Sequence, residues 1–196
     1  MKPDVKRIAI FASGEGTNFT ALCESFKKEG LPINVALLVC DHRKANVLNR
    51  AKKENVPTFV INFKDYPDKA AAERVIAKKL ADEKIDFILL AGYMRIIGPT
   101  LLATYEGKIV NIHPALLPKF PVRHGIEDAY QAGVDKTGVT IHWVDSGIDS
   151  GKVIAQRTVP VYKDDKLSEL EQRIHATEHQ LYPEVVKQLL ERGEIS

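Results

Sequence analysis

The sequence is short of cysteine and has no long apolar run. Only two cysteines, Cys23 and Cys40, occur in 196 residues. Their number and spacing give neither a disulfide framework nor a metal motif, which fits a reducing compartment. The longest apolar stretches, such as residues 87–92, fall far below the roughly 20 residues that a transmembrane helix needs. The apolar run at residues 8–12, which follows the basic N-terminal residues 1–7, is too short for a signal peptide. We therefore expect a cytoplasmic protein without a membrane partner.

A large excess of charge of either sign is absent as well. The 28 Lys and Arg residues nearly balance the 26 Asp and Glu residues, which leaves a net charge of +2, and no basic stripe points to a nucleic acid. A chain of this length with 44% hydrophobic residues can bury most of its apolar surface in one core. Because no linker or repeat interrupts the chain, we expect residues 1–196 to form a single domain. We expect small molecules as the partners of this domain. The protein itself is expected to be a monomer or a homodimer.

Short apolar runs alternate with helical patterns over the first 112 residues. The apolar runs are continuous, which is typical of strands that are buried on both faces; they cover residues 8–12, 35–40, 59–61, 87–91 and 109–112. Helical spacing of apolar residues appears between them, at Phe19, Leu22, Cys23 and Phe26, and within residues 44–54 and 67–83. This alternation predicts βαβ units and a parallel sheet.

The pattern changes in the last third of the chain. Apolar runs at residues 140–144 and 153–161 are separated by a loop rich in turn-forming residues, which predicts antiparallel additions to the sheet. A closing helix is expected to begin near Ser168, because Ser168 and Glu171 form a capping-box pattern. Pro183 is expected to kink this helix or to mark a new start.

A glycine-rich turn at residues 13–18 lies between the first strand and the first helix. Such a turn exposes backbone N–H groups at the positive end of a helix, where a phosphate can bind. A dinucleotide fingerprint would need Gly in place of Phe19, and the turn lacks the Gly-Lys-Ser/Thr of a Walker A motif. Two interpretations remain open: the turn binds a small phosphate monoester, with Glu15 pointing away, or its glycines only make a tight connection.

Asn111 and His113 are two residues apart at the end of an apolar strand, so their side chains leave the same face. An amide donor beside an imidazole is suited to stabilising a developing oxyanion. The alternative is a hydrogen-bonded structural histidine.

Two further clusters have candidate ligand residues. The loop at residues 145–151 either supplies a carboxylate to the site or is a plain hairpin, and its pattern does not match a calcium-binding loop. His175 and His179 lie one helical turn apart, but the His-Glu-x-x-His order and a third ligand are missing, so no metal is expected.

Five motifs occur in the order seen in one enzyme family. They are Ser-Gly-x-Gly-Thr-Asn at residues 13–18, Ala-Gly-Tyr-Met-Arg-Ile at 91–96, Asn-Ile-His-Pro-x-Leu-Leu-Pro at 111–118, Asp-x-Gly at 149–151 and Glu-His-x-x-Tyr-Pro at 178–183. In these motifs, which span nearly the whole chain, the sequence resembles the phosphoribosylglycinamide formyltransferase family of the folate-dependent formyltransferase superfamily. The resemblance implies a Rossmann-like α/β fold, with a mostly parallel central sheet and helices on both faces. It also implies transfer of a formyl group from 10-formyltetrahydrofolate to the glycyl amine of glycinamide ribonucleotide, without a metal.

The resemblance implies roles for individual residues. Asn111, His113 and Asp149 match the catalytic trio, in which we expect Asn111 and a protonated His113 to stabilise the oxyanion and Asp149 to orient His113. The matching ligand positions are Gly16, Thr17 and Asn18 for the ribonucleotide phosphate, Gly92 and Pro114 for backbone contacts near the glycinamide, Glu178 for the ribose, Met94, Arg95, Ile96 and Ile97 for the pterin, and Lys69 for the folate glutamate.

Some positions depart from the family pattern. Ala115 replaces the Ser that commonly follows His-Pro, and Val122 with Arg123 stands where Gly is usual. Lys69 occupies a position where some members carry Arg, so the charge is kept but the bidentate fork is lost. The loop near the substrate is therefore expected to have a different shape.

Other functions share part of these features. A methionyl-tRNA formyltransferase would share Asn111, His113 and Asp149 but is expected to carry a C-terminal domain for tRNA. A formyltetrahydrofolate hydrolase is expected to carry an N-terminal regulatory domain. A non-enzymatic phosphate- or nucleotide-binding module would need the glycine-rich turn but not the trio.

Overall fold

The computed structural model describes residues 3–196, so the first two residues of the basic N-terminal stretch lie outside it. The strands of this part are β1 Lys6–Ala12, β2 Ile33–Cys40, β3 Thr58–Val60, β4 Phe87–Leu90, β5 Ile109–His113, β6 Lys136–Trp143 and β7 Val153–Pro160. The α-helices are α1 Thr17–Lys28, α2 Val47–Lys53, α3 Lys69–Asp82, α4 Pro99–Thr104, α5 Gly125–Gln131 and α6 Leu167–Glu191, and a 3₁₀ turn covers Phe63–Asp65.

The seven strands described within residues 3–196 form one sheet in the order β3-β2-β1-β4-β5-β6-β7. Strands β1 to β5 run parallel, whereas β6 pairs antiparallel with both β5 and β7. The predicted α/β fold with late antiparallel strands is confirmed. The strand order reverses between β1 and β4, and open α/β sheets bind ligands in the crevice outside the carboxyl ends of the strands at such a switch point.

Helices cover both faces of the sheet, which explains why the central strands are continuously apolar. Residues 8–12 of β1 are at most 1% exposed. On one face α1 and α6 pack through Phe19, Leu22 and Ile174, and on the other α3 and α4 pack through buried leucines and isoleucines. The four apolar residues that predicted α1 are all buried, so the amphipathic interpretation is confirmed.

Tyr182 fastens α6 to the centre of the sheet. Its side chain is fully buried, and its hydroxyl lies 2.9 Å from the Leu90 carbonyl and 3.2 Å from the Val110 carbonyl. The Leu90 carbonyl is at the end of β4 and the Val110 carbonyl is in β5, and both strands lie next to the switch point. Because burial raises the pKa of Tyr182 well above its usual value, the hydroxyl stays a donor and α6 is held close to the ligand-binding edge.

Some details of the helices differ from the sequence predictions. The capping box is wrong: Lys166 is the N-cap of α6 in an extended conformation, so Ser168 already lies inside the helix and caps nothing. The new start at Pro183 is also wrong, because α6 runs unbroken from Leu167 to Glu191 with Pro183 inside it, whereas the kink at Pro183 stays a prediction. Helices α4 and α5 have only six and seven residues, too short for a clear periodicity. None of the helices within residues 3–196 is both long enough and apolar enough to cross a membrane.

Candidate active site

A cleft of about 1150 Å³ lies at the carboxyl ends of β1, β4 and β5, at the switch point of the sheet. It exceeds the usual volume of a site for one small ligand, which is ~300–1,000 Å³, and it has room for two molecules side by side. The structure brings to this cleft every residue that the resemblance assigns to catalysis or to a ligand, namely Gly16, Thr17, Asn18, Lys69, Gly92, Met94, Arg95, Ile96, Ile97, Asn111, His113, Pro114, Asp149 and Glu178.

The glycine-rich turn forms one part of the cleft wall. Gly16 is the N-cap of α1 with φ of 78°, a left-handed conformation that favours glycine, and no side chain caps the helix. A Cβ atom at Gly16 would also collide with the Val47 side chain. The first N–H groups of α1 therefore remain available at the positive end of the helix, which is the arrangement that binds anions.

Glu178 lies beside this turn, in a chain of polar contacts. The side chain of Glu178 is buried, and its Oε1 accepts a hydrogen bond of 2.6 Å from His175 Nδ1. Asn18 Nδ2 lies 3.4 Å from Glu178 Oε2, whereas buried Asn18 Oδ1 has no hydrogen-bond partner within residues 3–196. The Glu178 contact raises the pKa of His175 from its usual 6.5. These groups can offer a carboxylate, an amide and an imidazolium to a polar ligand.

Asn111 is held by a histidine that sequence analysis did not identify. His142 lies opposite Asn111 in the antiparallel register of β5 and β6, with 3.2 Å between Asn111 Nδ2 and His142 Nε2. His142 Nδ1 lies 2.9 Å from the Trp143 carbonyl, which can only accept, so Nδ1 carries the proton and Nε2 accepts from Asn111. Burial lowers the pKa of His142, which favours this neutral form and leaves the second N–H of the Asn111 amide free to donate.

The ring of His113 is fixed by a main-chain group. His113 is 4% exposed, and its Nε2 donates to the Phe120 carbonyl at 2.7 Å. Its Nδ1 lies 3.8 Å from Asp149 Oδ2, which is too long for a hydrogen bond but close enough for charge stabilisation. The orienting contact that the sequence analysis assigned to Asp149 is thus made by Phe120, while Asp149 faces the ring as a charge.

Asp149 lies between two imidazoles. Its Oδ2 accepts from the Val122 N–H at 2.8 Å, and its Oδ1 lies 3.8 Å from His142 Nε2. Its side chain is only 14% exposed. The charge of Asp149 opposes the lowering of the His142 pKa by burial but does not reverse it.

The loop that carries Phe120 and Val122 is strained. Phe120 and Val122 have φ of 51° and 64°, a region that is unusual for a bulky residue and rarer still for a β-branched one. Arg123, the next residue, donates to the Met94 carbonyl at 3.1 Å. The loop thus contacts His113, Asp149 and Met94, and the departure from glycine at Val122 falls on a position where glycine would relieve strain.

Residues 92–97 form a second part of the cleft, which is joined to the turn by hydrogen bonds from the Ser13 N–H to the Gly92 carbonyl at 3.0 Å and from the Met94 N–H to Ser13 Oγ at 2.9 Å. The side chains of Met94 and Ile96 are about half exposed, whereas Ile97 is buried in the core. No hydrogen bond within the described residues engages the backbone N–H groups of Arg95, Ile96 or Ile97. Arg95 pairs with Asp41 at 2.8 Å and stacks on Phe63, with 3.9 Å from its Cζ to the ring centre. A flat ligand can therefore contact apolar side chains and free main-chain groups here.

Fold and site together define an α/β protein with a small-molecule cleft at its switch point. The model of the formyl transferase family matches residues 6–186 of this chain. The chain therefore belongs to that family. It is 47% identical over 193 residues to the phosphoribosylglycinamide formyltransferase of Bacillus subtilis (strain 168), an alignment that covers 97% of this chain and 99% of the relative.

Solved structures and longer proteins also match. The crystal structure of glycinamide ribonucleotide transformylase 1 from Geobacillus kaustophilus is 58% identical with a TM-score of 0.92, and the match covers 95% of this chain and 99% of that one. The trifunctional purine biosynthetic protein adenosine-3 of Drosophila melanogaster is 35% identical over 187 residues, which is 94% of this chain but 14% of the relative.

Proposed function

We propose that this protein transfers a formyl group from 10-formyltetrahydrofolate to the glycyl amine of glycinamide ribonucleotide, a step of purine biosynthesis. One observation carries the proposal: Asn111, His113 and Asp149 line a single cleft together with a helix N-terminus whose first N–H groups are available and an apolar segment with free main-chain groups. A phosphorylated acceptor at the turn and a flat donor on the apolar segment would bring their reacting atoms to this trio. The names of the relatives support this pairing of substrates.

We also propose that residues 1–196 act as a single domain in the cytoplasm, as a monomer or a homodimer, with small molecules as the only substrates. The continuous sheet from β1 to β7 and the packing of α6 against it support the single domain.

The acceptor is assigned to the part of the cleft at α1. Its phosphate would accept hydrogen bonds from the N–H groups of Gly16, Thr17 and Asn18, where the helix end favours negative charge. The carboxylate of Glu178 would accept from the ribose hydroxyls. The backbone at Gly92 and Pro114, which also line the cleft, would contact the glycinamide.

The donor is assigned to the apolar part of the cleft at residues 94–97. The pterin ring would lie on Met94 and Ile96 and bind the main chain of residues 95–97, which carries free N–H groups. The glutamate tail would extend toward Lys69, an exposed residue at the start of α3. A single lysine ammonium attracts a carboxylate as a point charge and is screened by salt.

The reaction is attack of the neutral amine on the formyl carbon. As the new C–N bond forms, negative charge develops on the formyl oxygen, and Asn111 and a protonated His113 donate hydrogen bonds to it. Asp149 stabilises the imidazolium across 3.8 Å. The amine proton then moves, directly or through a water held by Asp149, to N10 of the folate as the bond between N10 and the formyl carbon breaks.

A spectral assay with 10-formyl-5,8-dideazafolate tests the proposal. We expect the purified protein to consume this formyl donor only when glycinamide ribonucleotide is present. Consumption without the ribonucleotide would instead establish a hydrolase, and the absence of consumption in both samples would favour a binding module.

The phosphate assignment predicts a large difference between two neighbouring glycines. Gly16→Ala places a Cβ atom against Val47 at a positive φ, whereas a Cβ atom at Gly14 meets no atom within 4 Å. Left-handed strain alone is ~1–2 kcal/mol, and displacement of the turn weakens its contacts with the phosphate. We expect Gly16→Ala to raise the KM for the ribonucleotide by about tenfold or more, with the KM for the donor unchanged.

Gly14→Ala is the matched control, and steady-state kinetics for each substrate provide the measurement. Equal effects of Gly16→Ala on both substrates, or equal effects of the two variants, would contradict the assignment of the phosphate to this turn.

A further inference from the structure

Helix α2 contacts the back of the anion-binding turn at several points. The Val47 N–H donates to the Gly14 carbonyl at 3.0 Å, and Arg50 Nε donates to the Glu15 carbonyl at 2.6 Å. The Glu15 carboxylate also turns toward α2, where Asn46 Nδ2 donates to it at 3.2 Å. Among the described residues, those of α2 do not line the cleft, whereas Gly14, Glu15 and Gly16 do. The two carbonyls are therefore held on the side of the turn that faces away from the ligand.

This arrangement determines where the N–H groups point. In a trans peptide the C=O and the N–H point in opposite directions across the same plane. Since Arg50 holds the Glu15 carbonyl toward α2, the N–H of Gly16 points the other way, into the cleft. Arg50 thus fixes the peptide that supplies the first donor of the anion-binding turn.

The charge of Arg50 adds to this effect. Arg50 Nη1 lies 3.3 Å from Thr20 Oγ1 on α1, so the guanidinium spans the two helices behind the turn. Within residues 3–196 Arg50 has no carboxylate within 4.0 Å. An unpaired guanidinium that contacts the Glu15 carbonyl raises the electrostatic potential at the N-terminus of α1, where a phosphate would lie.

We propose that Arg50 is a positioning residue that gives the turn its preference for a phosphorylated acceptor. It orients the Glu15–Gly16 peptide and supplies a positive charge without touching the ligand. The proposal rests on the proposed function, which places the acceptor's phosphate at this turn. It assigns a role in substrate selection to a residue outside the cleft.

Arg50→Met tests the proposal, because methionine keeps much of the apolar side chain but removes the Nε donor and the charge. We expect the KM for glycinamide ribonucleotide to rise by about tenfold, with kcat and the KM for the formyl donor unchanged. Arg50→Lys keeps the charge but replaces the planar guanidinium by an ammonium, and it is expected to recover part of the loss. Lys53→Met, an exposed position on the same helix, removes one charge and is expected to leave all three constants unchanged.

Inorganic phosphate provides a second probe. As a competitive inhibitor against the ribonucleotide, it is expected to bind about tenfold more weakly to Arg50→Met than to the unmodified enzyme. A merely structural role would change kcat or both KM values together, and that result would overturn the proposal, as would an unchanged KM for the ribonucleotide.

The two proposals fail in different ways. If the unmodified protein consumes no donor with the ribonucleotide, the proposed function is wrong, and direct titration of phosphate into the unmodified and Arg50→Met proteins still decides the role of Arg50. If Arg50→Met does not fold, Arg50→Lys carries the test: its phosphate affinity must lie below that of the unmodified enzyme, and equal affinity would overturn the role of Nε.

Discussion

Replacing Asn111 by alanine is expected to lower kcat by about 10²–10³, because removal of a single oxyanion donor has that effect in other enzymes. In the structure the Asn111 amide is oriented by His142 Nε2 at 3.2 Å, so one of its N–H groups is fixed and the other is free for the formyl oxygen. Both substrates should still bind, since neither the turn at Gly16 nor residues 95–97 depend on Asn111. Steady-state kinetics with each substrate varied in turn would measure the split between kcat and KM.

Asn34→Ala is the matched control, because Asn34 is an exposed amide at the far end of β2. It should leave kcat unchanged. An Asn111→Ala enzyme whose kcat stays within about threefold of the unmodified value would show that the oxyanion is stabilised elsewhere.

The sequence predicted the sheet well because burial leaves a strong signal. Strands covered on both faces must be apolar at every position, and residues 8–12 of β1 are both apolar in sequence and buried in the structure. The end of the chain was harder to predict. A capping box at Ser168 requires a non-helical backbone at that residue, but α6 already begins at Leu167. Tertiary packing, not the local capping pattern, determines where this helix begins.

The site was only partly predictable for a similar reason. Asn111 and His113 share a strand, so their spacing places them on one face, and the turn at Gly16 follows from its glycines. His142 approaches Asn111 only through the antiparallel register of β5 and β6, which no local pattern determines. Phe120 acts through its carbonyl, and a main-chain group leaves no signal in the residue type.

Asp149→Asn is expected to lower kcat by about 10²–10⁴, the range that proton transfer by a positioned side chain contributes. The amide keeps the shape of the side chain, and its oxygen can still accept from the Val122 N–H, which lies 2.8 Å from Asp149 Oδ2. What is lost is the negative charge that lies 3.8 Å from both His113 Nδ1 and His142 Nε2. Without it the imidazolium at His113 is no longer stabilised as the oxyanion forms.

The same variant should change the pH dependence. Burial lowers the pKa of His142, while its contact with the Trp143 carbonyl and the charge of Asp149 oppose that shift. Protonation of His142 would convert Nε2 from an acceptor into a donor and release Asn111, so activity falls as the pH drops through this pKa. Removing the Asp149 charge lowers the pKa of His142 further, and the acidic limb of the pH–rate profile should therefore move to lower pH.

Asp164→Asn, at an exposed position, is the matched control and should leave the profile unchanged. An Asp149→Asn enzyme with nearly unmodified kcat and an unshifted acidic limb would contradict the role of Asp149 as the charge that faces both histidines.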